Sequence, residues 1–157
     1  MRIVAQRVAT AAVSVDGETL ASIGKGLLIL AGVAQDDTGE DAAWLASKLV
    51  RMRIFPDAAG KMNMSVADVG GGILLISQFT LFAETGKGNR PSFTAAAAPA
   101  RAIPLYEALA ARLAAELGRP IGTGRFGADM AVSLVNDGPV TIVMDSRKRS
   151  QLPDTHA

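Results

Sequence analysis

Apolar and polar residues alternate from Arg2 to Val8, with Ile3, Ala5 and Arg7 on one face and Val4, Gln6 and Val8 on the other. That period of two predicts a strand. Val13 and Val15, then Asp16-Gly17, then Thr19 to Ile23 predict a hairpin, because Asp-Gly is a favoured two-residue turn. Gly26 to Val33 is apolar without relief and predicts a strand covered on both faces. The first third of the chain thus reads as an antiparallel meander. A helical period takes over at Thr38-Gly39-Glu40-Asp41. Thr38 is the candidate N-cap, and Glu40 and Asp41 place negative charge in the first turn. Leu45, Leu49 and Met52 then form one stripe on a helix ending near Arg51. Arg53-Ile54-Phe55 predicts a short strand before a turn from Pro56 to Gly60, and Lys61 to Val69 has no assignable period.

Gly70-Gly71-Gly72 is a flexible stop before Ile73 to Phe82, the second strand expected to be covered on both faces. Glu84 to Asn89 reads as a polar, glycine-rich loop, followed by Arg90-Pro91-Ser92-Phe93 and an alanine tract with Pro99. Leu105, Leu109, Leu113 and Leu117 share one face of a second helix that Gly118 stops. Pro104 either opens that helix or sits in an early turn. Met130 to Val135 and Val140 to Met144 predict two closing strands. Strands interrupted by two helices give an α+β fold: a single domain, residues 1–145, with a mostly antiparallel, barrel-like sheet and the two main helices packed outside. Residues 146–157 read as a polar, disordered tail.

Composition narrows the chemistry. A chain of 157 residues has room for one core, and 49% hydrophobic with 20% charged residues is a globular, soluble balance. A net charge of +1 gives no bulk attraction for nucleic acid, so such a partner would need a local patch. No apolar run reaches the roughly 20 residues of a membrane helix, and Met1 to Arg7 lacks the apolar core of a signal peptide. The expectation is a cytoplasmic protein with no membrane partner. There is no Cys, and the only His is His156 in the tail. A thiolate nucleophile, a disulfide, a zinc-thiolate site and a Ser-His-Asp triad are all excluded on those grounds. No metal and no cofactor are expected. An enzyme built from this chain works with hydroxyls, carboxylates, Lys and Arg, and backbone dipoles.

Five short stretches carry candidate chemistry. Asn136-Asp137-Gly138-Pro139-Val140-Thr141 joins the last two strands, and a tight hairpin is its simplest reading. Pro139 resists that reading, because it deletes a ladder donor where the second strand should begin. Gly122-Thr123-Gly124-Arg125-Phe126-Gly127 matches the dinucleotide pattern literally, but it follows a helix and leads into a strand, so these glycines shape a loop instead. Gly86-Lys87-Gly88-Asn89-Arg90 is either a solvated loop or a phosphate contact through Lys87, Arg90 and free amides. Arg147-Lys148-Arg149 is either a solubilising tail or a nucleic-acid contact. Ser77-Gln78-Phe79-Thr80 places polar groups where the strand should still be buried, which costs free energy unless they are bonded. It is either a strand end with satisfied hydroxyls or the border of a pocket.

Ser77-Gln78-Phe79-Thr80-Leu81 together with Asn136 to Thr141 resembles the paired signature of the D-aminoacyl-tRNA deacylase family. The likeness spans nearly the whole chain: MRIVAQRV at the start, IGKGLLILAGV at 23–33, RIFPDAAGKMN at 53–63, RPSF at 90–93 and TGRFGADMAVSLVNDGPVT at 123–141. The resemblance implies a homodimer that hydrolyses the ester of a D-amino acid on the 3′-terminal adenosine of tRNA, releasing both intact. It implies a cis Gly138-Pro139 step inserted into the partner subunit's pocket, with both carbonyls facing the substrate's α-carbon and ammonium. It places Ser77, Gln78, Phe79 and Thr80 in the catalytic set. Gly138, Pro139, Asn136, Thr141, Met130 and Arg7 fall in the substrate-binding and chiral-selection set, with Met130 lining the pocket. Arg7 either anchors the Gly-Pro loop through carbonyls or is a surface strand arginine.

Such a filter excludes by clash and does not grip the D side chain. Side-chain identity should therefore matter little, and glycyl-tRNA should also be cleaved. Backbone amides near Phe79 and Thr80 are the candidate oxyanion donors. The nucleophile is either the Thr80 hydroxyl, which needs a base, or a water helped by the terminal adenosine's 2′-hydroxyl, which the resemblance favours. The main alternative is a non-catalytic module that binds the tRNA 3′ end. A purely structural dimer and a general esterase also remain, the latter disfavoured by the missing imidazole.

Overall fold

The computed structural model of the chain describes residues 1–149. The N-terminal alternation continues past Val8, so that β1 runs unbroken over Arg2–Val15. Asp16 and Gly17, with φ of 51° and 78°, turn the chain into β2 (Glu18–Ile23). Positive φ at both turn residues matches the twist of the flanking strands, which is why Asp-Gly serves there. β3 (Gly26–Gly32) then returns against β1 and not against β2. Ala11 to Val15 pair with β2, and Arg2 to Val8 pair with β3. The expected meander is corrected by this pairing: β1, with 14 residues, is long enough to hold two shorter partners end to end. Gly26 permits the close approach at the start of β3, where a Cβ would lie 2.0 Å from the Gly72 carbonyl oxygen.

Asp41 closes the first turn of α1 (Gly39–Arg51), its carboxylate accepting from the Thr38 amide at 2.8 Å. β4 (Phe55–Pro56) and β5 (Met62–Met64) form a separate small hairpin, which accounts for part of the stretch that has no period in the sequence. β6 (Gly72–Ser77) pairs with β3 in parallel. Parallel neighbours need a crossover, and α1 lies in it. α2 (Pro99–Leu117) supplies the next one, leading to β7 (Gly122–Thr123), also parallel to β6. Pro104 lies inside α2, and Gly118 ends it with φ 76°. β8 (Ala131–Asp145) pairs with the remaining edge of β1. The sheet is thus mixed: antiparallel around β1 and parallel beyond β3.

Both helices cover one face of the sheet. Leu45, Leu49, Leu109 and Leu113 meet Ile3, Ala5, Leu27, Ile29, Ile73 and Leu75 in one core. The other face of the same strands buries Val8, Val13, Leu28, Leu74 and Ile76, and the sheet curls around them as a barrel-like wall with Leu20, Met130 and Val132. β3 and β6 are covered on both faces, as their unbroken apolar runs predict. Among the described residues no helix is long and apolar enough to cross a membrane.

Three boundaries differ from the sequence reading. The strand expected over Ile73 to Phe82 stops at Ser77, where its partner β3 runs out, and Phe79–Phe82 forms a 3-10 turn. The two closing strands are halves of one strand, since both pair with β1. The chain is also fixed beyond residue 145. Ser146 is buried and its amide donates to the Met1 carbonyl at 2.9 Å. The Met1 ammonium forms a buried pair with the Asp37 carboxylate and donates to Ser146 Oγ. Arg147 and Arg2 bond the Asp145 carboxylate, the Arg147 hydrogen bond holding it well below the usual carboxylate range. Arg149 reaches Asp41 at 3.3 Å. The rest of the expected tail, residues 150–157 with His156, lies outside the described residues.

Candidate active site

The end of β6, the first half of α2 and the segment from 126 to 132 enclose a cavity of about 270 Å³. Ser77, Gln78 and Phe79 form one wall, Tyr106 and Phe126 another, and Met130 and Val132 a third. Small residues leave the space open: Ala31, Ala97, Ala102 and Ala128 also line it. Gly122 and Gly124, read from the sequence as loop-shaping, pack closely behind this wall. A Cβ on Gly124 would sit 2.5 Å from the Met130 sulfur, and one on Gly122 would sit 3.1 Å from Leu74 Cδ1.

The lining contains no carboxylate, no Lys and no Arg. Its one ionisable group is the Tyr106 phenol, which burial pushes up to about 12 and which donates to the Leu75 carbonyl at 2.9 Å. The wall therefore offers no side chain able to take a proton near neutral pH. It does offer hydroxyl, amide and backbone groups. Ser77 and Gln78 are half-buried at the rim, and Phe79 is exposed with its ring edge-on to Phe93 at 5.3 Å. The Phe79 and Thr80 amides open the 3-10 turn, where a helical segment leaves its first donors without internal acceptors. The Thr80 hydroxyl accepts from Gln78 Nε2 and does not line the cavity.

Asn136 to Thr141 lies elsewhere. Val8 pairs with Asn136 and Gln6 with Thr141, so the stretch from Asp137 to Val140 stands opposite Arg7 alone. It bulges out of one continuous strand; the hairpin reading fails because neither half of β8 pairs with the other. Three fastenings hold the bulge. Arg7 is buried, donating through Nε to the Asp137 carbonyl at 3.0 Å and through Nη1 to the Ile54 carbonyl at 2.6 Å. Asn136 Oδ1 accepts from the Val140 amide at 3.0 Å, and Asn136 Nδ2 donates to Thr141 Oγ1 at 3.0 Å. Val140 is 7% exposed and rooted in the helix-side core. The Gly138-Pro139 step at the tip is cis and exposed. Of the ten candidate residues, Ser77, Gln78, Phe79 and Met130 meet at the cavity; Arg7, Asn136, Gly138, Pro139 and Thr141 gather at the bulge, and no bulge residue lines the cavity.

The family model described as D-Tyr-tRNA(Tyr) deacylase matches residues 4–145. The chain belongs to that family. The D-aminoacyl-tRNA deacylase of Akkermansia muciniphila is 60% identical over 149 residues, covering 95% of this chain and 99% of the relative. Those of Opitutus terrae and Bacteroides thetaiotaomicron are 56% and 55% identical over the same coverage. A solved structure of the c-Myc DNA Unwinding Element Binding Protein is 39% identical, covers 92% of this chain and 98% of its own, and has a TM-score of 0.85. Another, described as a probable eukaryotic D-amino acid tRNA deacylase, shares the fold with a TM-score of 0.78 at 17% identity, covering 91% of this chain and 97% of its own.

Membership of the D-Tyr-tRNA(Tyr) deacylase family makes this chain one of a group of hydrolases named for an aminoacyl-tRNA ester. The sequence reading missed Tyr106 and Phe126, whose rings meet edge-to-face at 5.9 Å in the cavity wall. Tyr106 shares the helical spacing of the core leucines on α2, so only its polar tip set it apart. Phe126 lay within the glycine pattern, where its signal was a lone aromatic in a polar loop.

Proposed function

We propose that this protein hydrolyses the ester between a D-amino acid and the 3′-terminal adenosine of tRNA, releasing free D-amino acid and intact tRNA. The observation that carries the reading is a cavity with no acid or base side chain, lined by Ser77, Gln78 and Phe79 where the 3-10 turn begins, in a chain of the deacylase family. An aminoacyl ester beside an ammonium is already labile, so oriented amides and a placed water suffice. Water adds to the carbonyl carbon, the bond to the 3′ oxygen breaks, and that oxygen leaves with a proton. Oxyanion donors are worth about 3–4 kcal/mol each in such reactions. The amides of Phe79 and Thr80 take that part, while Ser77 and Gln78 hold the adenosine at the rim.

Gly138 and Pro139 select chirality from a second copy of the chain. The bulge does not reach its own cavity lining, and β8 beside it exposes Val135 at 57% and Val143 at 68%, apolar surface suited to a homodimer. Carbonyls presented at the α-carbon leave room for hydrogen but not for an L side chain. The test is deacylation of D-tyrosyl-, L-tyrosyl-, glycyl- and L-alanyl-tRNA by purified protein without added metal. Rapid release from the D-ester and from glycyl-tRNA is expected, with both L-esters spared. Equal rates on glycyl- and L-alanyl-tRNA would sink the steric filter. Binding of tRNA without turnover would move the protein to a 3′-end-binding module.

The placement of Thr80 bears on the nucleophile. Its hydroxyl is engaged by Gln78, lies outside the cavity lining and bonds no basic side chain among the described residues. Thr80→Ala is expected to retain most of the activity, whereas a 2′-deoxy terminal adenosine loses it. The opposite pattern would make Thr80 the nucleophile.

A further inference from the structure

Most arginines of this chain are already spoken for. Arg2, Arg7, Arg51, Arg147 and Arg149 hold carboxylates, and Arg53, Arg101 and Arg119 donate to backbone carbonyls. The basic tail is thus largely consumed in closing the fold. Among the described residues, Arg90, Arg112 and Arg125 are the arginines without a hydrogen bond or ion pair on the chain. Two of these three lie close in the chain to the cavity wall or to a residue packed on it. Arg125 is exposed and directly precedes Phe126 of the cavity wall. Arg90 lies three residues before Phe93, within about 11 Å of it by chain length alone, and Phe93 packs on the cavity-lining Phe79. The Glu84 and Ser92 backbones bond each other in both directions, at 2.7 and 3.0 Å. That pairing roots the intervening loop, which carries both Arg90 and Lys87, the latter also without an ion pair among the described residues. The whole loop is exposed.

We propose that Lys87, Arg90 and Arg125 form a cationic rim that receives the backbone phosphates of the single-stranded RNA leading into the cavity. This rests on the tRNA reading given above and adds the surface on which that partner lies. Net charge is only +1, so attraction for a polyanion must be local; two guanidinium groups and one ammonium group, without partners among the described residues and close in the chain to the cavity wall, would supply it. Phosphate contacts of this kind fix register and carry no base sequence. The rim therefore accepts the common 3′ end of many tRNAs and leaves chirality to the pocket.

The test is equilibrium binding of uncharged tRNA as a function of salt. Each single-strand phosphate contact adds about 0.7 to the slope of log K against log salt, so Lys87→Ala/Arg90→Ala/Arg125→Ala should make it about 2 units shallower. Arg90→Lys/Arg125→Lys should keep the wild-type slope, and so should Arg112→Ala, which removes an unpartnered arginine away from the cavity. An unchanged slope in the triple variant, with D-tyrosyl-tRNA still hydrolysed, overturns the rim and leaves the deacylase reading intact. A shallower slope supports the rim even if the unmodified protein fails to hydrolyse D-tyrosyl-tRNA, which would strike the deacylase reading alone.

Discussion

Gly138→Ala should lose about a hundredfold in D-tyrosyl-tRNA deacylation, the scale on which a misplacement near 1 Å acts in an oriented site. Gly138 has φ of 133°, a region that side-chain-bearing residues rarely adopt. A Cβ there would lie 2.8 Å from Val140 Cγ2 and 2.9 Å from Arg7 Nη2. Neither neighbour yields cheaply, since Val140 is rooted in the core and Arg7 is bonded to two carbonyls. The bulge must shift, and with it the carbonyls proposed to face the substrate. Backbone strain of this kind costs about 1–3 kcal/mol, which thermal unfolding would read as a lowered Tm. Kinetics on the folded variant separate the two effects: a drop in kcat/KM per active molecule, with the D-to-L ratio collapsing, supports the filter. An unchanged ratio would detach Gly138 from chirality.

Arg7→Ala should destabilise the protein by about 2–3 kcal/mol, because a buried acceptor stripped of its donor retains its desolvation cost. The Ile54 carbonyl dominates that loss, as Ile54 is 7% exposed and Arg7 Nη1 is its 2.6 Å partner. The 3.5 Å pair with the Asp137 carboxylate contributes less, since that side chain is 48% exposed and screened by water. Arg7→Lys keeps the charge but loses the planar fork that spans both carbonyls, so an intermediate stability is expected. Denaturant unfolding measures all three proteins. Loss of the anchor also frees Asp137 and the tip beyond it, so discrimination between D- and L-tyrosyl-tRNA should weaken in Arg7→Ala beyond what its folded fraction explains. Full discrimination with reduced stability would make Arg7 a structural residue only.

Local chemistry made much of the molecule legible in advance. Asp16-Gly17 turns because few other pairs accept positive φ at both positions, and Thr38 and Gly118 bound helices whose apolar stripes recur at helical spacing, whereas the start of the second helix at Pro99, with Pro104 inside it, was not fixed by the pattern. The doubly covered strands β3 and β6 follow from apolar runs with no polar relief. The missing Cys and the lone tail His excluded whole classes of catalysis, and two short signatures pointed to the deacylase family. Pairing partners were another matter. A period of two looks the same in a hairpin and in one bulged strand, so only the register against β1 decided that Asn136 and Thr141 bracket an excursion opposite Arg7. The same holds for β2 and β3, whose share of β1 depends on strand length and on the Gly26 contact with Gly72. Tyr106 and Phe126 become cavity walls only where α2 crosses the end of β6, and Ser146 is buried only because the chain end returns to Met1. Those arrangements join residues far apart in the chain, which spacing along it does not encode.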